Sequence, residues 1–257
     1  MNVLGLFLAA SIIASGTITR AQDARKISDD ASKAIEFSSL EMVSTLRIND
    51  GKGGVRIRQV ANATRKFGGV TKTMIKFLAP PYVKGTTMLI YDYEDKDDDM
   101  WIFLPSLRKS RRIISSEKGK SFMGSEFSNA DMSKPNLDDF NWKMYGSELV
   151  DSKDCWVVEA KPKNAAIEDE NGYARKVSFI EKATSLTLKA DYYDFDDRKF
   201  KTMTFSDYRR QSNGKHFAFN MEMKNHLNNR FSEITVDKFQ LGSNPDESSF
   251  SVVTLGN

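Results

Sequence analysis

The chain is short of the residues on which most catalytic centres depend. It has one cysteine, two histidines and six prolines in 257 residues. A single thiol, Cys155, excludes an internal disulfide and any site built on several thiolates. His216 and His226 lie on or near one predicted strand with no evident carboxylate partner, a poor basis for a zinc site or a nucleophilic triad. Charge of either sign is not in excess: 38 Lys and Arg stand against 35 Asp and Glu, a formal +3. Nucleic-acid binders show a strongly basic domain or face, so that class is set aside. Long hydrophobic runs are also missing. The longest, residues 3–14, is interrupted by Gly5 and Ser11 and is too short for a membrane span.

That run instead gives residues 1–21 the pattern of a signal peptide. Thr19 and Ala21 place small side chains at the −3 and −1 positions of a cut before Gln22, and Ala14-Ser15-Gly16 offers a second site. A basic n-region is missing apart from the terminal amine. No cysteine lies near the cut to take a lipid. The expectation is an exported protein, soluble in the periplasm and not lipid-anchored, with residues 22–257 as one domain.

What the chain does have is period-two patterning. Residues 22–37 carry one helical stripe, Ala24, Ile27, Ala31, Ala34 and Ile35. From residue 40 onward polar and apolar side chains alternate, and glycine-rich or Asp/Asn turns break the pattern at 49–54, 169–172, 196–197 and 212–214. About twelve strands are predicted, in an antiparallel meander, with residues 140–145 and 147–151 read as separate strands. An open sheet rarely exceeds about ten strands without curling, splitting or closing. Periodicity allows a sandwich or a curled sheet whose concave face must be filled by side chains, a helix or a ligand.

Residues 99–131 stand apart. A short apolar strand ends at Pro105, a basic run follows with Arg108, Lys109, Arg111 and Arg112, and then comes the loop SFMGSEF, residues 121–127. Loops run over wet surface, so Phe122, Met123 and Phe127 in a loop must close a core or cover an apolar ligand. The loop is no nucleophile elbow, because Met123-Gly124-Ser125-Glu126-Phe127 lacks the second glycine. The acidic loop at 92–99 has neither the carboxylate spacing nor the glycine of a calcium loop and is expected to be a solvated hairpin. No cofactor or metal is expected.

WIFLP, RKSRRI and SFMGSEF in that order, preceded by PPYVKGTTML at 80–89, resemble the outer-membrane lipoprotein-sorting family, in its LolA-like branch of uncharacterised periplasmic proteins. The resemblance runs from about residue 40 to the C-terminus, with Glu126 where an aspartate is more usual. It implies a mainly β fold: a single strongly curved antiparallel sheet, an incomplete β-barrel, with an N-terminal helix and residues 115–135 as a lid across its mouth. It also implies a carrier of lipid or lipoprotein acyl chains, in transient contact with membranes and with an inner-membrane transporter of the RND type as a possible partner.

Methionine and aromatic side chains reshape cheaply around different chains. The expected cargo-lining residues are therefore Met88, Ile90, Trp101, Phe103, Phe122, Met123, Phe127, Trp142, Phe217 and Phe219. Arg108, Lys109, Arg111 and Arg112 would dock head groups or a partner; a charge-protected edge strand is the plainer reading of the same residues. The rival to the carrier is a scaffold with a packed interior that docks a membrane complex through this basic strand.

Overall fold

The computed structural model describes residues 14–255. The predicted signal segment, residues 1–21, lies for the most part outside them. Helix α1, Ala14–Ala34, is the first element of the described residues and runs through the predicted cut before Gln22. Its stripe packs as read: Ala24, Ile27 and Ala31 meet Trp142, Met144, Trp156, Val158 and Ile180. Ile35 falls beyond the helix and is exposed.

Thirteen strands follow, all in one sheet. The first arm is β1 Ser39–Asn49, β2 Val55–Phe67, β3 Val70–Ala79, β4 Thr87–Tyr93, β5 Asp99–Leu104 and β6 Lys109–Ile113. The second arm is β7 Phe140–Val150, β8 Lys153–Pro162, β9 Arg175–Glu181, β10 Thr187–Tyr193, β11 Lys199–Arg210, β12 His216–Asn225 and β13 Phe231–Leu241. Every pairing is antiparallel, and the spatial order is β6-β5-β4-β3-β2-β1-β13-β12-β11-β10-β9-β8-β7. The two strands predicted at 140–145 and 147–151 are one, β7, whose register slips between Met144 and Gly146. Gly146 sits at φ 106°, which a side chain resists, and the extra residue broke the alternation in sequence.

This order fixes where everything else must go. The first strand lies at the middle of the sheet, because β1 pairs with β13, and the two outer edges, β6 and β7, are consecutive in sequence. Residues 114–139 must therefore pass from one edge to the other. In a sheet that curls without closing, the short route lies across the concave face. There Leu46, Ile48, Val60, Ile75, Phe77, Met88, Ile90, Met100, Ile102, Ala190, Tyr192 and Met223 form the main core, and Phe122 and Phe127 of the crossing segment pack among them. The convex face carries two smaller clusters. One, around Cys155, Val157, Val177, Phe179 and Leu188, covers the second arm. The other lies on the first arm beneath a C-terminal strap, where Phe250 and Leu255 close over Leu89, Met74, Trp101 and Phe103.

The crossing segment bridges the arms at its start. Helix α2, Ser115–Lys118, meets helix α3, Ala165–Asn171, which joins β8 to β9. Lys118, buried, pairs with Glu170. Beside this pair the backbones of Gly119 and Gly172 touch. A Cβ on Gly119 would stand 2.8 Å from Asp169 O and from Gly172 N, and one on Gly172 would stand 2.9 Å from Gly119 O. Only glycine permits that approach.

Candidate functional site

The lid is a tight hairpin laid on the concave face. Ser121 and Ser128 pair across it, and Phe122 N–H donates to Phe127 O at 2.8 Å. Ser125 N–H donates to Phe122 O at 3.0 Å, closing a two-residue turn with Met123 at φ 51° and Gly124 at φ 77°. Two consecutive positive φ values define the type I′ turn, whose twist matches paired strands. The turn holds Phe122 and Phe127 side by side, 2% and 0% exposed, with the Phe122 ring 5.7 Å from that of Phe77 on β3.

The tip of the hairpin is held by cations. Arg58 donates to Met123 O, and Gly124 O accepts from Arg230 at 3.2 Å and from Arg56 at 3.4 Å. Lys201 donates to Glu126 O at 2.7 Å. The Glu126 carboxylate accepts from Asn225 at 2.8 Å and pairs with Arg230 at 2.7 Å, while Glu126 N–H donates to Ser232 Oγ. Burial pushes the Arg58 guanidinium below its ordinary range, and neighbouring Arg56 adds to the shift. Burial likewise lowers Lys201, against the opposing pull of Asp131 and Glu126. These cations are bound largely through carbonyl oxygens, which compensate a buried charge less well than a carboxylate does.

After the hairpin the segment turns on Asp131, whose carboxylate accepts from Ser128 N–H at 2.7 Å and Ser128 Oγ at 2.8 Å. Tyr192 reaches Asp131 at 3.4 Å and stacks edge-on with Tyr173. Burial, then the Asp131 charge, pushes both phenols far up, so they stay protonated donors. Lys134 N–H then donates to Asp92 at the mouth, over a polar cavity of ≈ 430 Å³ bordered by Asp92, Asp98, Lys118, Lys134 and Asp139. Burial and the Asp98 charge push Asp92 to about 6, and burial also raises Asp98. The loop expected to be merely solvated thus has two half-buried carboxyl groups turned towards the lid.

The expected cargo-lining residues divide by face. Met88, Ile90, Phe122 and Phe127 lie in the main core, with Met123 and Trp142 packed against it. Trp142 also bridges to α1, and its indole N–H donates to Leu137 O at 3.0 Å. Phe217 and Phe219 form a separate aromatic group with Phe37 and Phe239. Trp101 and Phe103 face the other way. They sit on the convex side under the C-terminal strap, Trp101 with its ring 5.0 Å from Tyr91. Strand β5 is apolar on both faces, so alternation does not say which side turns inward. The basic run divides too. Arg111 pairs with Glu117 at 2.6 Å and Arg112 with Asp99, whereas Arg108 and Lys109 are exposed and form no ion pair among the described residues.

With this geometry the comparisons are specific. The model of a family described as a "-like" uncharacterized protein matches residues 69–257, more than half of the chain. A DUF1329 family protein from Desulfovibrio piger superposes with a TM-score of 0.84 at 28% identity, over 92% of this chain and 99% of that one. A domain from Vibrio parahaemolyticus, described as an outer membrane lipoprotein-sorting protein, gives 0.85 at 24% identity over 92% and 100%. The chain belongs to the family of uncharacterised proteins that the matching family model describes, and its fold is that of the LolA-like lipoprotein-sorting proteins. A LolA superfamily protein from Nitrosomonas europaea, 17% identical over 89% of this chain and 97% of its own, shares the fold with a TM-score of 0.69. No curated protein matches.

Within this LolA-like architecture, sequence reasoning missed the residues that hold the lid: Arg56, Arg58, Lys201 and Arg230. Two of them left a signal. On β2, Arg56 and Arg58 alternate in phase with buried Val60, so both point to the apolar face where arginine is out of place.

Proposed function

We propose that this protein carries a lipid, or the acyl chains of a lipoprotein, between the membranes of the cell envelope, without covalent chemistry. One observation carries the reading. The apolar interior is filled by two phenylalanines on a hairpin that belongs to neither arm's strand ladder and is fastened at its tip by polar contacts. An apolar plug on a polar fastening is exchangeable. Lifting it exposes core, and an acyl chain sliding in restores the burial at about 0.8 kcal/mol per methylene. Gly124 is where the hairpin would flex. Met88, Ile90 and Met123 would then contact the chain, while Trp101 and Phe103 are left to structural packing. The periplasm is the proposed location, and an RND-type transporter is the proposed partner for loading or release.

The scaffold reading has its own support, because Phe122 and Phe127 are already fully buried and a permanent core would look the same. Native mass spectrometry with organic extraction separates the two. The carrier should retain one acylated species per chain. Phe122→Asp with Phe127→Asp, which removes the apolar side chains the hairpin lays into the core, should abolish retention of that species. A clean mass with no uptake of added phospholipid would leave the scaffold.

A further inference from the structure

Of the eleven large apolar side chains exposed among the described residues, five gather on neighbouring hairpins. In a meander, alternate hairpins fall at the same end of the sheet. Besides the β10–β11 hairpin with its exposed Phe195 in the second arm, one end collects four hairpins of the first arm and the central seam, β1–β2, β3–β4, β5–β6 and β12–β13. Val55 and Ile57, Tyr82, Leu107 and Leu227 stand on these four, 42%, 59%, 70%, 62% and 60% exposed. The hairpins touch one another along the rim. A Cβ on Gly51 would lie 2.6 Å from Asn228 O, and one on Gly85 would lie 3.3 Å from Pro105. The lid tip ends on the same rim, since Gly124 O binds Arg56 and Arg230, and Tyr82 hydrogen-bonds to Arg58.

Charge follows the same geography. Lys52, Lys84, Arg108 and Lys109 are exposed on this rim and form no ion pair among the described residues. Its acid, Asp50, is occupied by the Lys52 and Gly54 N–H groups of its own turn, which hold its carboxyl below the usual range. The acidic β4–β5 loop, residues 92–98, projects from the opposite end of the sheet. The first arm is therefore polarised along its strands, while at the same end of the second arm the acids of the β10–β11 hairpin, Asp194, Asp196 and Asp197, are paired with Arg198 and Arg175. Between the β3–β4 and β5–β6 hairpins runs an open groove of ≈ 680 Å³, with Phe77, Leu78, Phe103 and Leu255 on its walls and Lys84 and Arg108 beside them.

We infer that this rim docks on the surface of an anionic phospholipid bilayer, with the four hairpin tips entering the head-group layer and the acidic end turned to water. Isolated apolar tips on protruding loops suit a deformable interface, where each side chain finds its own depth, better than they suit a rigid protein surface. Cations interleaved with them add attraction to anionic head groups and orient the approach. The inference extends the expected head-group docking to hairpins that sequence did not single out, and removes Arg111 and Arg112 from it. It stands apart from the carrier reading, because a permanently filled interior would dock in the same way.

Co-sedimentation with protein-free vesicles tests it, comparing phosphatidylcholine alone with phosphatidylcholine mixed with phosphatidylglycerol. The protein should partition to the mixed vesicles and lose that partition as salt rises. Tyr82→Ser with Leu107→Ser and Leu227→Ser should weaken it roughly tenfold or more, as should Lys84→Glu with Arg108→Glu. Leu149→Ser, an exposed apolar residue away from this rim, should leave it unchanged; unaltered near-UV circular dichroism confirms that the variants fold. Equal partition to both vesicles, no partition, or rim variants that bind like the parent would each overturn the inference. So would association only with membranes that retain their proteins, which would assign the rim to a protein partner.

Discussion

Asp92 shows what one residue at the mouth contributes. Its carboxyl is raised from 3.8 to about 6 by burial and by Asp98, with Glu36 adding to the shift and Lys134 opposing it. The folded state therefore holds this proton more tightly than the unfolded chain does. The group costs nothing below the unfolded value, and stability falls as pH rises through the window between the two values. Asp92→Asn should raise stability at neutral pH by about 1–3 kcal/mol, and the gain should vanish near pH ~4. Urea unfolding at the two pH values checks this. Sequence gave no hint of it, since a run of acids reads as solvated whatever it later faces. Residue phase is opaque in the same way. Met88 and Ile90 could be named as interior because β4 is strongly apolar, but Trp101 and Phe103 sit one position out of phase with inward Met100 and Ile102. Nothing local distinguishes a core face from a face covered by a distant C-terminal strap.

At the scale of elements, the lid depends on two glycines for different reasons. Gly124 needs its positive φ, and a Cβ there would meet nothing closer than 3.8 Å. Gly124→Ala should therefore cost only the backbone penalty, about 1–2 kcal/mol, expressed as faster amide exchange over residues 121–128 with the rest of the sheet unchanged. Gly119 needs space. Gly119→Val would push α2 from α3 and should lower stability by about 1–3 kcal/mol, with thermal unfolding as the readout and the Lys118–Glu170 pair as the local casualty. The strap is a third such element: Phe250, 0% exposed over Leu89, should cost about 3–5 kcal/mol as Phe250→Ala. Strands were legible because alternation survives in most of them. The β7 bulge was not, because one extra residue inverts the pattern. The lid was legible for the opposite reason, as apolar residues where no strand was expected, although its anchoring cations are scattered over β2, β11 and the β12–β13 hairpin.

For the whole molecule, periodicity alone left a sandwich and a curled sheet equal, and the resemblance in residues 80–127 decided between them. The physical reason is that closure is not a local property. It depends on which strands end as edges, and here these are β6 and β7, neighbours in sequence and opposite in space. That arrangement puts the crossing segment over the concave face and leaves one rim for the docking proposed above. Salt dependence of vesicle binding is the prediction that belongs to this scale, since no single hairpin carries the polarity.

The pairing of β1 with β13 also sets the order in which the molecule can be completed. Leu46 finds Ile234 across nearly the whole length of the chain, while every other strand pairing in the sheet joins strands that follow one another in sequence. Each arm can zip up as a local meander, but the central seam closes only after the last strand is available. Contacts this remote slow folding. Until they form, β1 offers an unpaired edge backed by Leu46 and Ile48, the kind of edge other chains join. The strand that becomes most deeply central, β1, is thus the one left longest with an open edge.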